Sequence, residues 1–353
     1  MAKVLMKGNE AIGAAAIKAG CKYFFGYPIT PQNEVPEYMS KELPKVGGVF
    51  VQAESEVAAI NMVYGAAGCG VRVMTSSSSP GIALKQEGIS YIAGAELPAV
   101  IVNVMRGGPG LGSIQPAQSD YNQSTRGGGD GDYKLLVYAP ANIQETVDLL
   151  QDAFDKADYY RNPVMIAADG MIGQMMEPIE FKERQKVELP VKDWATTGTE
   201  GKRKPNIINS LFLQSEDLEE HNIKLTAKYQ EMKDNEQRYE TYNMENPEII
   251  CVAYGTTARI VKNAIETLKE EGIEIGLIRP ITLWPFPEKA FVDLPKTAKA
   301  FLSVEMSMGQ MIDDVKIVSN GRLPVDFYGR SGGIIPTPAG VIGKIKEMIG
   351  GAK

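Results

Sequence analysis

Short apolar runs alternate with helix-patterned stretches through residues 1–190, and that alternation leaves the chain few architectures. Pro98–Met105, PAVIVNVM, reads as a buried apolar strand. Lys22–Tyr27, Gly47–Gln52, Val71–Met74, Lys134–Tyr138 and Val164–Ala168 read as further strands. Between them lie an Ala-rich helical stretch, Asn9–Ala19, stopped at Gly20, and a small-residue helix, Glu56–Ala67, closed by Gly68. Ile82–Ala95 is also helical, and Ile143–Tyr159 forms an amphipathic helix. Strands separated by helices imply a mostly parallel sheet covered on both faces.

Residues 191–246 change character. Gln214–Tyr242 is polar and charged, with weak helical periodicity, and reads as a linker carrying an exposed helix. From 247 the α/β alternation returns: strand Ile249–Ala253, helix Thr257–Glu271, strand Ile273–Ile278 and strand Ala300–Val304. RPITLWPFP (Arg279–Pro287) reads as a packed turn. The expected fold class is therefore α/β, with two domains at 1–190 and 247–353. A chain of 353 residues, 44% hydrophobic, is long enough to give both a core.

Charge and composition exclude several roles. The net charge is −7 and the densest basic stretch is Lys202–Lys204, so nucleic acid is not an expected partner. No apolar run is long enough for a bilayer, and MAKVLMKGNEAIG lacks a basic–apolar–small leader, so a cytoplasmic location is expected. Cys21, Cys69 and Cys251 lie far apart and the single histidine is His221. These cannot build a four-ligand iron–sulfur or zinc site, so no metal site is expected here, and any electrons must pass to a partner.

In an open parallel sheet, ligands bind beyond the carboxyl ends of the strands. The expected first strand is followed by Pro28-Ile29-Thr30-Pro31, the second by Glu54 and Glu56, and the third by Thr75 and Ser76–Ser79, then Pro80-Gly81. Arg106 and a glycine-rich turn follow PAVIVNVM. A hydroxyl, two carboxylates, a hydroxyl run and a guanidinium on one rim suit a small carboxylate and a polar cofactor. Each also has a plainer reading. Glu54 and Glu56 can serve a helix N-terminus capped by Ser55, Thr30 can be turn chemistry, the serines a flexible loop, and Arg106 the partner of a structural acid.

Rival motifs fit less well. GGPGLG does not satisfy GxGxxG in any register, and GxxxxGK[ST] is absent. Gly129-Asp130-Gly131 followed by Asn162 is similar to a GDG…Asn motif for thiamine diphosphate and magnesium. Here, however, it leads into a strand rather than a helix.

GYPITPQNE (Gly26–Glu34), QAESEVAAINMVYGAA (Gln52–Ala67), TSSSSPG (Thr75–Gly81), LPAVIVNVMRGGPG (Leu97–Gly110) and AQSD (Ala117–Asp120) together resemble the alpha subunit of 2-oxoacid:ferredoxin oxidoreductases. AYGTTAR (Ala253–Arg259) and RPITLWPFP resemble the same family's second domain. The GPGLGSIQPAQSD variant is most similar to members acting on 3-methyl-2-oxobutanoate; the threonine usual after GP in 2-oxoglutarate members is absent. The resemblance implies a pyrimidine-binding-like thiamine-enzyme domain over 1–190 and a transketolase C-terminal-like domain over 247–353. It implies thiamine diphosphate shared with a beta subunit that holds the diphosphate and Mg2+. It further implies a gamma subunit, iron–sulfur clusters on a ferredoxin-like delta subunit, an external ferredoxin, and coenzyme A as cosubstrate.

By position, Glu56 matches the glutamate at N1′ of the aminopyrimidine, with Glu54 as second choice. Thr30 and Arg106 match the substrate-contacting threonine and arginine. Pro28, Ile29, Ser79 and Gly81 are further expected cofactor contacts. The implied reaction is oxidative decarboxylation of a 2-oxo acid to acyl-CoA and CO2, with 2-oxoglutarate or pyruvate as alternative substrates. A thiamine-dependent decarboxylase or transketolase-like subunit without iron is a second reading, and a non-catalytic scaffolding subunit a third.

Overall fold

The structure is a computed structural model that describes residues 3–184 and 187–350. The parts of the expected spans 1–190 and 247–353 that fall at 1–2, 185–186 and 351–353 lie outside the described residues. In chain order the strands are β1 (Val4–Lys7), β2 (Tyr23–Gly26), β3 (Val49–Gln52), β4 (Val73–Ser77), β5 (Ala99–Met105), β6 (Leu136–Tyr138), β7 (Pro163–Asp169), β8 (Met176–Ile179), β9 (Tyr239–Tyr242), β10 (Ile249–Val252), β11 (Ile275–Pro280), β12 (Thr282–Trp284), β13 (Ala300–Glu305) and β14 (Val325–Gly329).

One sheet has seven strands in the order β12-β6-β7-β5-β4-β2-β3, and a second has five in the order β14-β13-β10-β11-β9. β1 and β8 form a separate antiparallel pair. β5 and β7 are parallel partners from Ala99–Pro163 to Met105–Asp169, and every residue of both is buried. This is why PAVIVNVM carries no polar alternation: helices cover both faces of the central strands.

The chain reverses its direction of growth across the seven-stranded sheet at β2. β3 is added on one side of β2 and β4 on the other. Loops from the carboxyl ends of β2 and β4 therefore diverge, and the crevice between them is where such sheets accommodate ligands.

Three elements depart from expectation. The first sheet's edge is completed from the far part of the chain: Thr282–Trp284, read as part of a packed turn, is a strand antiparallel to β6. Arg279 beside it donates to both carboxylate oxygens of Glu145 at 2.8 Å and to Glu240. The motif RPITLWPFP thus joins the two halves of the molecule. The segment 191–246 is also more than a linker. Helix Ser215–Asn235 buries Leu225, Tyr229 and Met232 against the first core, and β9 pairs with β11. Its polar remainder faces water, which is why its periodicity was weak. Finally, β4 extends through Thr75, Ser76 and Ser77, all fully buried, so most of the hydroxyl run is strand rather than loop.

Two buried side chains fasten the halves together. The Asp169 carboxylate accepts from the amides of Met171 (3.0 Å), Ile172 (3.2 Å) and Thr256 (3.2 Å), and from the Thr256 hydroxyl (2.8 Å). It thereby caps helices Gly170–Gln174 and Gly255–Glu270 at once. Gln118 donates to Tyr254 O and accepts from Thr257 Oγ1 and Met306 N. Burial pushes the Asp169 carboxyl upward, and the donors from Thr256, Ile172 and Met171 oppose it. Asp169→Ala leaves these donors without a partner, so it is expected to destabilise the chain by about 3–5 kcal/mol. Equilibrium denaturation of the chain measures this, and a loss below about 1 kcal/mol would remove Asp169 as the fastener.

Candidate functional site at the carboxyl ends of β2 and β4

Glu56 opens helix Glu56–Gly68, which starts after β3. Ser55 caps it, its side chain accepting from Ala58 N at 3.1 Å. The cap fixes the first turn and directs the Glu56 side chain inward, where the residue is only 6% exposed. No donor among the described residues is hydrogen-bonded to its carboxylate. Glu54, two residues earlier, stands exposed and outside this buried group.

Gly81 lies directly against Glu56. A Cβ built there would come 2.1 Å from Ser77 Oγ and 2.7 Å from Glu56 Oε1, so any larger residue would displace the carboxylate. Ser77 Oγ and Ser78 Oγ are buried without partners. The Glu56 carboxylate, with free acceptor capacity, and the orphaned Ser77 hydroxyl share one cradle that only glycine permits. Such a donor–acceptor set fits a flat, hydrogen-bonding heterocycle such as an aminopyrimidine.

Arg106 follows β5 and is 7% exposed. Its Nη1 donates to Thr30 O at 2.8 Å and its Nη2 to Leu111 O at 2.9 Å, while Nε has no partner. Among the described residues no acid is hydrogen-bonded to its guanidinium, though its charge acts on the nearby buried Asp120. Instead the guanidinium stretches between the Pro28–Pro31 turn and the loop 107–116, which closes through Gly107 N to Gln115 O and the Arg106–Pro116 bridge. Thr30 is exposed, with its peptide to Pro31 cis, and Pro28 is exposed while Ile29 is half-buried. The structure thus pairs Thr30 with Arg106 and Glu56 with Gly81, and Ser79, in the same helical turn as Gly81, links the two pairs through the backbone amide of Arg106.

Ser79 does not face the rim as expected. Its hydroxyl donates to Asp120 Oδ2 at 2.5 Å and accepts from Arg106 N at 3.0 Å. Asn103 donates to the same Asp120 oxygen at 2.9 Å and accepts from Ser79 N. Burial pushes the Asp120 carboxyl up, while Ser79, Asn103 and the Arg106 charge pull it down. The network fixes the backbone of Arg106 from behind. Sequence reasoning did not single out Asp120 or Asn103 as working residues, since they meet Ser79 only through the fold.

A second unforeseen group lies beneath. Ser76 Oγ donates to Gln32 Oε1 at 2.5 Å, and Gln32 N donates to Ile29 O, bracing the turn that carries Thr30. Lys85, fully buried, donates to Thr75 Oγ1 at 2.5 Å. A signal for Lys85 existed, because it lies three residues after Ile82 and four before Ile89 on an otherwise apolar stripe.

The Gly129-Asp130-Gly131 turn is placed elsewhere. Asp130 is exposed, Gly129 N donates to Tyr133 Oη, and the turn runs into β6. Asn162 is buried, its amide donating to the carbonyls of Lys134 and Pro163. These groups serve the fold and are not arranged as a diphosphate cradle. Among the described residues there is also no helix long and apolar enough to cross a membrane.

Comparison with known proteins gives the family. Residues 14–246 match the family profile described as pyruvate flavodoxin/ferredoxin oxidoreductase, thiamine diP-binding, and residues 247–341 match pyruvate:ferredoxin oxidoreductase core domain II. The ketoisovalerate oxidoreductase subunit VorB of Methanothermobacter marburgensis is 51% identical over 350 residues, covering 99% of each chain. The 2-oxoglutarate:ferredoxin oxidoreductase from Magnetococcus marinus, solved with 2-oxoglutarate, coenzyme A and succinyl-CoA bound, superposes with a TM-score of 0.85 at 26% identity. That match covers 98% of this chain and 65% of the solved one. A split-gene transketolase, solved as an inactive beta4 tetramer, shares the fold with a TM-score of 0.57 at 14% identity, over 96% of this chain and 93% of that one.

Proposed function

The chain belongs to the 2-oxoacid:ferredoxin oxidoreductases, as the subunit of alpha type, and from that premise we propose that it forms the pyrimidine-facing half of a thiamine diphosphate site acting on 3-methyl-2-oxobutanoate. The reaction is CoA-dependent oxidative decarboxylation to acyl-CoA and CO2, with ferredoxin reduced. The observation that carries this reading is the Glu56 carboxylate, buried with no bound donor against Gly81. The substrate follows the 51% identity to a ketoisovalerate subunit, against 34–36% to 2-oxoglutarate synthase subunits.

When bound, the cofactor supplies the nucleophilic carbon and holds the electrons released on decarboxylation. This chain's residues do the rest of the work on this side. Glu56 would share a proton with a ring nitrogen of the bound pyrimidine, which favours the tautomer whose exocyclic nitrogen is an imine and can act as a base. Ser77 lies beside the same carboxylate. Arg106 keeps Nε and the unused hydrogens of its two amino groups for a carboxylate. Thr30 stands at the rim, its hydroxyl available to the oxo oxygen as negative charge grows there.

In this reading residues 1–190 form the pyrimidine-facing domain, 247–353 the second domain, and the segment between them braces both. The diphosphate and Mg2+ belong to a beta-type partner; support comes from the separate employment of Asp130 and Asn162. A ferredoxin-like delta subunit carries the clusters, and a gamma subunit completes the assembly.

The assembled complex, co-purified from its native source, tests this. We expect thiamine diphosphate, iron and a preference for branched-chain over dicarboxylic 2-oxo acids when CoA-dependent reduction of ferredoxin is assayed. A complex lacking both thiamine and iron would overturn the proposal, and a preference for 2-oxoglutarate would overturn the substrate.

A further inference from the structure

Lys85 is a fully buried ammonium with no bound carboxylate. Its hydrogen bonds go to Thr75 Oγ1 at 2.5 Å and, at the limit of contact, to Ser76 O at 3.5 Å. Removing an ammonium from water costs several kcal/mol even after relaxation, and these two neutral acceptors do not offset that. A methionine would fill the same space at no such cost, so the folding of the helix does not explain the residue.

Its position does. On helix Ser79–Gly94, Lys85 falls four residues after Gly81 and three before Gly88, on one stripe. A Cβ at Gly81 would strike Glu56, and one at Gly88 would come 2.5 Å from Ile60 Cγ2. Glu56 and Ile60 are themselves four residues apart on the facing helix. Lys85 therefore emerges between the two close contacts, and helical side chains lean toward their own N-terminus, here toward Gly81 and Glu56.

We propose that Lys85 is a positioning residue for Glu56, a buried amine set on the helix stripe between the two close contacts to the Glu56 helix and acting on the carboxylate from behind. This rests on the reading of Glu56 given above. Glu56 is the charged group whose field acts on the amine, and it favours the protonated form; Thr75, Ser76 and Gln32, which face the same space, are neutral. Burial outweighs that field and draws the Lys85 pKa down to about 7. The amine thus gains or loses its proton near neutrality, below its usual range.

The test uses Lys85→Met, Glu56→Gln and the double variant in the assembled complex. Thiamine diphosphate binding is followed by calorimetry in two buffers of different ionisation heat, which counts the protons exchanged. The wild type is expected to exchange a fraction of a proton near neutral pH, and Lys85→Met to lose that exchange. Lys85→Met should lower kcat about tenfold or more, with KM for the 2-oxo acid changed less than about twofold. It should also remove the kcat limb centred near neutrality. In the Glu56→Gln background, Lys85→Met should add less than about twofold, because its effect passes through Glu56. Full additivity of the two substitutions would overturn the role of Lys85 alone. Normal turnover in Glu56→Gln would overturn the reading of Glu56 and Lys85 with it. Should Lys85→Met not assemble, the wild-type proton count decides: no exchange across neutral pH overturns the proposal.

Discussion

Glu56→Gln in the assembled complex is expected to lower turnover by about 10²–10⁴ while leaving the subunits together. The amide has the carboxylate's shape and fits the same cradle beside Gly81, so packing is preserved. It cannot exchange a proton with the ring nitrogen, however, and the tautomer that exposes the base is no longer favoured. The Ser55 cap that starts the helix is untouched, so the chain's melting temperature should move little. Steady-state rates with 3-methyl-2-oxobutanoate, alongside size and thermal stability, measure both effects. Near-normal turnover would take Glu56 out of the mechanism.

Arg106→Ala is expected to reduce kcat/KM by about 10- to 150-fold, chiefly through KM, as a charge-assisted hydrogen bond contributes about 1.5–3 kcal/mol. The loss has two sources that a control separates. In the proposed site the guanidinium holds the carboxylate of the 2-oxo acid, and in the structure it ties Thr30 O to Leu111 O. An aldehyde analogue without the carboxylate depends only on the second source, so its binding should fall much less. Arg106→Lys keeps the charge but not the fork that reaches both carbonyls, and should give an intermediate KM. If KM stays unchanged in Arg106→Ala, the carboxylate is held elsewhere.

The arrangement also bears on how the rim keeps its shape without a cofactor. Ser79, Asn103 and Asp120 anchor the backbone of Arg106, and Ser76 with Gln32 anchors the turn bearing Thr30. Ser76 and Asn103 belong to the neighbouring strands β4 and β5, and Ser79, Gln32 and Asp120 to segments that follow strand ends, so the rim is anchored to the sheet itself.

Much of this was legible in the residues themselves. The buried central strand, the first helix stopped at Gly20, and the strand-end positions of Thr30, Glu56 and Arg106 follow from local rules (periodicity, capping, and the tendency of parallel sheets to place ligands at strand ends), whereas the helix expected to close at Gly68 runs through it and turns at Gly70. Those rules act over a few neighbouring residues and need no knowledge of the far chain. Tertiary structure alone decided the rest. Nothing local marks Thr282–Trp284 as an edge strand of a sheet begun more than two hundred residues earlier, because its partner, β6, is supplied from afar. Ser79 lies where a cofactor ligand would be expected, yet its hydroxyl is taken by Asp120. Lys85 stands on an otherwise apolar stripe with Ile82 and Ile89, but its complete burial is decided only when the helices pack. Hydrogen bonds and burial between distant segments depend on where the backbone brings them, and that is fixed only once both sheets are assembled.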